Sequence, residues 1–493
     1  MSEEALAYRR LHPGSVVLRF LKEAPSTVLA LPAGLAFVSQ SGLWRALYWA
    51  ALLGLVLLLI NLLSWWRFRY GVGAGEIVIE SGVLSRNRRS IPFGRIQDVD
   101  LERSFLARLF GLAKVRIETG AGGKDEGLLD SVSMAEAQRL RDAVRAARSE
   151  NLLAPTEEAA TPATPLLFAM DLPRVLLFGL FNFSLVYLAG LFAFLQAFEN
   201  FLPFDIYDPA RWMGLAEEYL PARFSAAAIA AILVLAILLG IVAGVLRTLS
   251  RDYGFSLRLE GERFRRERGL LTRSEVVIAR RRIQLAQLTT GPVRRAFGWS
   301  GLSFQTLGAG TDRSGHQSAA PFATRSEVEA VLREAGPLRL PPPPELEPVS
   351  KRHIVRALGT SLFPALTAIL LLSIWARPAL MLLALLPLLG VWAALERRFH
   401  RFALDGDLLL VARGVWRQRL WIVPLKNVQA ISLSRGFLQR RLGLASVALD
   451  TAGAPLLNVP RVIDLREAAA EALAAEIALR RLLHSGRKSG TER

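Results

Sequence analysis

One pattern constrains this chain more than any other: the stretch from residue 82 to residue 119 occurs three times. With Gln284 and Gln429 set under Gln97, the core of the repeat needs no gap. Fifteen residues before each glutamine stands Gly82, Gly269 or Gly414; eleven after it stands Arg108, Arg295 or Arg440. Gly111, Gly298 or Gly443 follows at fourteen, and Thr119, Thr306 or Thr451 at twenty-two. A triplication at this spacing has to be recognised before any fold is assigned, because each copy is one structural unit.

The copies are separated by apolar runs. The 493 residues, 52% of them hydrophobic, have a mean hydropathy of +0.32, which points to membrane spans. Leu43 to Trp66 is long enough to cross a bilayer and carries Trp44, Tyr48, Trp49, Trp65 and Trp66 at its ends, where an aromatic belt belongs. Residues 25–38 form a shorter apolar stretch before it. Leu172 to Phe198 with Phe224 to Leu246, and Ile354 to Trp375 with Ala379 to Leu395, complete three hairpins and six expected spans. Arg67 and Arg69, Arg247 and Arg251, and Arg397, Arg398 and Arg401 follow the second arm of each pair. Positive residues there place the following segments, and both termini, in the cytosol. The acidic loop at 199–218 then falls outside.

The segments after the hairpins alternate with a period of two. Ile77–Ile79, Val115–Ile117 and Leu408–Val411 read as strands, and the glycines at 82, 269 and 414 read as hairpin turns with positive φ. The stretch from Phe105 to Gly111 reads as a short helix stopped by its glycine. Each repeat then ends in an amphipathic helix whose expected capping boxes are Ser133 with Glu136, Thr324 with Glu327, and Asp464 with Glu467. The resulting layout is hairpin 25–66, domain 67–150, linker 151–170, hairpin 171–246, domain 247–336, Pro-rich linker 337–350, hairpin 351–396 and domain 397–485.

Strands closed by one C-terminal helix, each set behind a paired span, resemble the bacterial PH-like membrane proteins of the YdbS/YdbT family, in the longer form with three domains. The resemblance is carried by the glycine turn, the Ile/Val-Gln strand start and the segments Arg108-Leu-Phe-Gly-Leu-Ala113, Arg295-Ala-Phe-Gly-Trp-Ser300 and Arg440-Arg-Leu-Gly-Leu-Ala445. The terminal threonine and the opening Leu11-His12-Pro13 add to it. The second copy departs from the pattern with Ala279 in place of Pro92 and Pro424, and Pro292 in place of Phe105 and Phe437. The resemblance implies a polytopic cytoplasmic-membrane protein with cytosolic PH-like domains, no established reaction and no cofactor. It also implies a shorter one-domain relative as a partner.

Chemistry beyond this is sparse. The chain has no cysteine, which excludes disulfides, thiolate metal sites and cysteine nucleophiles. Its five histidines, at 12, 316, 353, 400 and 484, have no helical metal-ligand spacing. No Gly-x-Ser-x-Gly elbow occurs, and the glycine runs lack the Lys-Ser/Thr of a P-loop. The expected spans hold almost no charge, unlike an ion-coupled transport path. The formal charge of +18 is nearly all arginine and is discounted as a nucleic-acid signal.

The shared glutamines either line a ligand or satisfy backbone groups beside a turn. The shared arginines either bind phosphate through the guanidinium fork or serve as intradomain caps and ion pairs. The threonines are expected at strand ends. The better candidates for binding lipid or a partner are the arginine clusters near the turns: Arg86, Arg88, Arg89, Arg265, Arg266, Arg280, Arg281, Arg282, Arg417 and Arg419. Near an anionic leaflet each exposed basic residue contributes about 1 kcal/mol. The function expected is that of a non-enzymatic envelope scaffold or sensor binding proteins or anionic headgroups. The competing reading is a lipid or small-molecule exporter.

Overall fold

The computed structural model describes residues 7–19, 43–73, 75–82, 85–119, 127–150, 165–182, 225–306, 316–340, 346–452 and 459–489. Two compact units share the chain. One contains residues 1–163, 169–256 and 265–277; the other contains 164–168, 257–264 and 278–493.

Among the described residues each repeat has seven strands, and the first lies ahead of the apolar helices. In the first repeat β1 (Ala7–Arg10) precedes helix α1 (Leu43–Arg67). Then come β2 (Arg69–Val72), β3 (Glu76–Ser81), β4 (Asn87–Pro92), β5 (Ile96–Arg103), helix α2 (Phe105–Leu109), β6 (Leu112–Thr119), β7 (Gly127–Ser133) and helix α3 (Met134–Glu150). The second repeat runs β8 (Leu166–Ala169), α4 (Leu172–Leu180), α5 (Ser225–Asp252), β9 (Ser256–Glu260), β10 (Arg263–Arg268), β11 (Arg273–Ala279), β12 (Ile283–Thr290), α6 (Pro292–Ala296), β13 (Ser300–Thr306), β14 (His316–Ala323) and α7 (Arg325–Glu334). The third runs β15 (Glu347–Pro348), α8 (Arg352–Trp375), α9 (Leu386–Phe399), β16 (Arg401–Asp405), β17 (Leu408–Arg413), β18 (Gln418–Pro424), β19 (Val428–Ser434), α10 (Phe437–Arg441), β20 (Leu444–Thr451), β21 (Arg461–Arg466) and α11 (Glu467–Ser489).

The early strand pairs with the strand that follows the helices. Ala7 to Arg10 lie opposite Val72 to Arg69, and Glu347 and Pro348 lie opposite Phe402 and Arg401. In the second repeat the Leu259 N–H donates to the Pro165 carbonyl, and the Met170 N–H to that of Phe255. Segments 151–170 and 337–350 thus end in strand residues that their reading as linkers did not anticipate. Alternation then builds the cores: Ile77, Ile79, Ile91, Val99, Val115 and Ile117 meet Leu140 and Val144 of α3, and Leu409, Val411, Val423 and Val447 meet Leu473 and Ile477 of α11.

The glycine turns are required by geometry. Gly82, Gly269 and Gly414 have φ of 107°, 110° and 105°, and a Cβ on them would stand 1.9, 1.9 and 2.2 Å from a backbone carbonyl three residues on. No side chain fits such a site.

Three helical stretches among the described residues are long and apolar enough to cross a membrane: Val234–Asp252, Arg352–Trp375 and Arg377–Phe399, the last opening as a 3-10 turn. Helix α1 is apolar over Gly54–Arg67. Three such stretches stand where six spans were expected; residues 25–38 and 183–198 lie outside the described residues, as do the acidic 199–218 loop, residues 151–164 of the first linker and residues 341–345 of the second. On α8 the apolar side chains face outward, with Phe363 74% and Trp375 92% exposed, as lipid contact demands. Helices α4 and α5 pack closely through small residues: a Cβ on Gly179 would meet the Val245 backbone at 2.6 Å, and Asn182 Nδ2 donates to Thr248 Oγ1 at 3.0 Å.

Candidate functional site: the joints between repeats

The repeat columns mark a joint as well as a fold. In all three copies the ladder slips by one residue at the shared glutamine, between Ile96 and Asp98, Ile283 and Leu285, and Val428 and Ala430. Gln97, Gln284 and Gln429 are therefore the extra residues of β-bulges, devices that bend a strand and raise its twist. Each threonine stands opposite the residue before its glutamine: Thr119 opposite Ile96, Thr306 opposite Ile283, Thr451 opposite Val428. Gln284 is buried and its Nε2 donates to the Arg282 carbonyl at 3.3 Å, so it satisfies the backbone; Gln429 is exposed.

The strand that begins at each bulge has a second edge, and in two repeats the next repeat occupies it. Within one unit β5 pairs antiparallel with β11, with Arg103 opposite Arg273, Glu102 opposite Ser274 and Leu101 opposite Glu275. Within the other, β12 pairs with β18 from Ala286 opposite Ile422 to Thr290 opposite Gln418. Gln284 lies 187 residues after Gln97 and Gln429 lies 332 after it. In first-repeat numbers the first joint thus sets position 103 against position 86, and Thr290 against Gln418 is again 103 against 86. The two joints share one register.

The arginine column braces them. Arg108 Nη1 donates to the Leu270 carbonyl at 2.8 Å, in the turn before β11. Arg295 Nη1 donates to Gln418 Oε1 at 2.7 Å, at the start of β18, and its guanidinium lies 4.6 Å from the Phe399 ring centre. Both arginines thus reach the following repeat, a role that neither phosphate binding nor a cap or ion pair inside their own repeat had anticipated. Other polar contacts add to the joints. Asp100 Oδ1 accepts from Val277 N at 3.3 Å, and Arg141 meets Glu275 at 2.8 Å. Asn427 Nδ2 donates to the Gln284 carbonyl at 2.8 Å, and Gln305 Nε2 to Thr451 Oγ1 at 2.9 Å.

The arginine clusters divide. Arg86, Arg88, Arg89, Arg281 and Arg417 are exposed, Arg88 with Glu80 at 3.7 Å. Arg265 lies 3.0 Å from Glu275, and Arg280 lies 3.1 Å from Glu262. Arg266 is fully buried and Arg282 nearly so, both out of reach of a headgroup in this conformation. Arg419 is half-buried beside β12; burial first, then the Arg417 and Arg413 charges, pull it below the ordinary guanidinium value.

A cluster that sequence spacing concealed lies at the foot of α8. Asp464, fully buried, accepts from Arg356 Nε at 2.5 Å and from Gln439 Nε2 at 2.6 Å, and its Oδ2 lies 2.6 Å from His353 Nδ1. Burial pushes its carboxyl up, but the His353 and Gln439 hydrogen bonds and the Arg356 charge outweigh this and hold it below the usual carboxylate range. His400, 6.2 Å from His353 between ring centres, is pushed down to about 3 by burial, then by Arg413 and His353. The expected cap role of Asp464 is corrected: with φ at 62° it binds α8, and the Glu467 N–H that opens α11 donates to the Gly443 carbonyl. At Ser133 the hydroxyl accepts from the Glu136 N–H, which is one half of the expected box, and at Thr324 the box forms. No group of His, Asp or Glu among the described residues could hold a metal ion.

Comparison with known proteins bears on the whole chain. The bacterial PH domain family matches residues 18–148, 180–338 and 356–481. Over 489 residues the chain is 25% identical to the UPF0699 transmembrane protein YdbT of Bacillus subtilis (strain 168), spanning 93% of this chain and 96% of that one. It is also similar to the UPF0699 transmembrane protein YdbS of the same organism, 36% identical over 77 residues that span 16% of this chain and 46% of the relative. No solved structure matches. Three matched stretches, each holding one glycine turn, one bulged strand and one closing helix, place the chain in the bacterial PH-domain family as a membrane-associated, three-domain member.

Proposed function

We propose that this protein is a non-enzymatic scaffold of the bacterial cytoplasmic membrane that binds other proteins through its PH-like domains, held on the cytosolic side with both termini. The observation that carries this reading is the joint itself: one bulged strand adds to the next repeat twice in the same register. Strand addition of this kind is a general mode of protein recognition, with main-chain hydrogen bonds giving affinity and side chains giving register. A smaller single-domain protein of the same family is a suitable partner, since it would carry strands of the same kind. The arginines in the last turns of α1, α5 and α9 agree with cytosolic domains.

Cross-linking in native membranes followed by purification of the tagged chain tests the scaffold reading. A specific protein recovered with it, in proportion to the bait, is the expected result; recovery of lipid alone would sink the reading. Orientation has its own test: a reporter active only in the cytosol works after residue 150 and at the C-terminus, and fails near residue 208.

A second reading, binding of anionic headgroups, is favoured by the exposed Arg86, Arg88, Arg89, Arg281 and Arg417. Replacing these five by Gln in the full chain should lower lateral enrichment of anionic lipid around it in reconstituted vesicles. Unchanged enrichment removes that role.

A further inference from the structure

Three repeats with two joints leave two strand edges over. Strand β4 is the first-repeat equivalent of β11 and β18; β3 pairs with one of its edges, and no described strand pairs with the other. Strand β19 is the third-repeat equivalent of β5 and β12; it pairs with β20, and no described strand takes its outer edge. One chain therefore carries both halves of a joint it has already made twice.

Beyond Gln429, whose carbonyl accepts from Arg481 Nη1 at 3.1 Å, the free edge of β19 is also unguarded. Gln429, Ala430, Ser432, Leu433 and Ser434 are exposed, whereas Gln284, Leu285, Ala286 and Gln287 of β12 are buried. From Val428 to Ser434 there is no charge and no proline, the usual protections of an exposed edge. Arg440, the equivalent of the two bracing arginines, is exposed beside it.

We propose that β19 of one chain adds to β4 of a second copy, antiparallel and in the register of the two internal joints. The proposal rests on the scaffold reading and names one of its partners. In that register Ser434 faces Asn87, Leu433 faces Arg88, Ser432 faces Arg89, Ile431 faces Ser90 and Ala430 faces Ile91. Arg435 then stands opposite Arg86, which repeats the Arg103–Arg273 pair of the first joint, so like charge at that end does not bar the contact. Arg440 holds the place in its repeat from which Arg108 and Arg295 brace the two internal joints. The contact is head-to-tail, so each added copy again offers one free β4 and one free β19, and assembly either closes in a ring or propagates.

Because the chain has no cysteine, single substitutions report the contact directly. Two differently tagged copies, one carrying Ser434→Cys and the other Asn87→Cys, are produced together and oxidised mildly in native membranes. Residues directly opposite have Cα atoms about 4.5–5.5 Å apart, within disulfide reach, whereas diagonal ones are roughly 7–8 Å apart. A linked species bearing both tags is expected from this pair and from Ser432→Cys with Arg89→Cys. Ser434→Cys with Arg89→Cys, two residues out of register, should link at least tenfold less.

Matching elution of each variant and the wild type in detergent serves as the folding control. Equal linking in and out of register overturns the proposal. Linking of neither in-register pair also overturns it: if cross-linked membranes still yield another specific protein, such as a single-domain relative, the scaffold reading stands, and if they yield none, both readings fall.

Discussion

Strands β12 and β19 occupy the same place in the second and third repeats, 145 residues apart, and their surroundings differ. Strand β12 lies between β13 and β18, with its bulge glutamine buried; among the described strands β19 pairs with β20 alone, with its bulge glutamine in solvent. What the third repeat lacks in strand pairing it offsets with polar chemistry beside the same end. Gln439, on the short helix after β19, joins His353 and Arg356 in holding Asp464, which ties the domain to α8. The repeated columns therefore specify a domain with an available edge, and the neighbour decides what fills it.

The largest test of that contrast removes the polar anchor. Asp464→Ala should lower stability by about 3–5 kcal/mol, the range for taking one partner from a buried ion pair, read as the thermal midpoint of the protein in detergent. The anchor is also sensitive to acid. Asp464 is held below its ordinary value, so its contribution is full above the usual carboxylate range and is lost as pH falls through the lowered value. His400, at about 3 when folded against 6.5 in its unperturbed form, favours the unfolded chain below pH 6.5. Both signs agree: stability declines on acidification. The equivalents of His400 are Phe68 and Phe255, so His400→Phe should flatten the decline between pH 6.5 and 4.

The next test compares the two strands directly. Leu288→Pro and Leu433→Pro fall at equivalent positions, one inside a sheet and one at an edge. The first should cost about 3 kcal/mol or more in the thermal midpoint and the second clearly less, since proline is confined to edges and bulges. Similar losses would mean that β19 is covered in the isolated protein.

Smaller effects should sort the glycines. Gly298→Ala meets no nearby atom and should cost about 1–2 kcal/mol for its left-handed backbone, while Gly269→Ala must also displace the Thr272 carbonyl and should cost more. Arg295→Gln is the mildest change, below about 1 kcal/mol because the pair is exposed. It should increase hydrogen exchange at β18 without altering β16.

The sequence made the strands, the glycine turns and the short helices legible, because alternation and positive-φ glycines are local signals. The joints were not legible. A column such as Arg108, Arg295 and Arg440 looks the same whether its side chain serves its own repeat or the next one. Nor was the anchor legible, since His353 and Asp464 stand 111 residues apart and only the fold brings them together. The first strand of each repeat escaped notice because it is short: Glu347–Pro348 is two residues long and ends in proline.

That early strand carries a consequence for biogenesis. A ribosome making this protein releases β1, β8 or β15 well before the rest of its sheet, with an apolar helical segment between. The sheet can close only when the chain comes back to the side from which it departed. If the apolar helices cross the bilayer as proposed, each domain would complete itself only after they had been integrated, so folding of the sheet would proofread insertion. A pair of helices threaded the wrong way would leave its leading strand stranded across the membrane from its mates, an unfinished sheet that quality-control proteases can recognise.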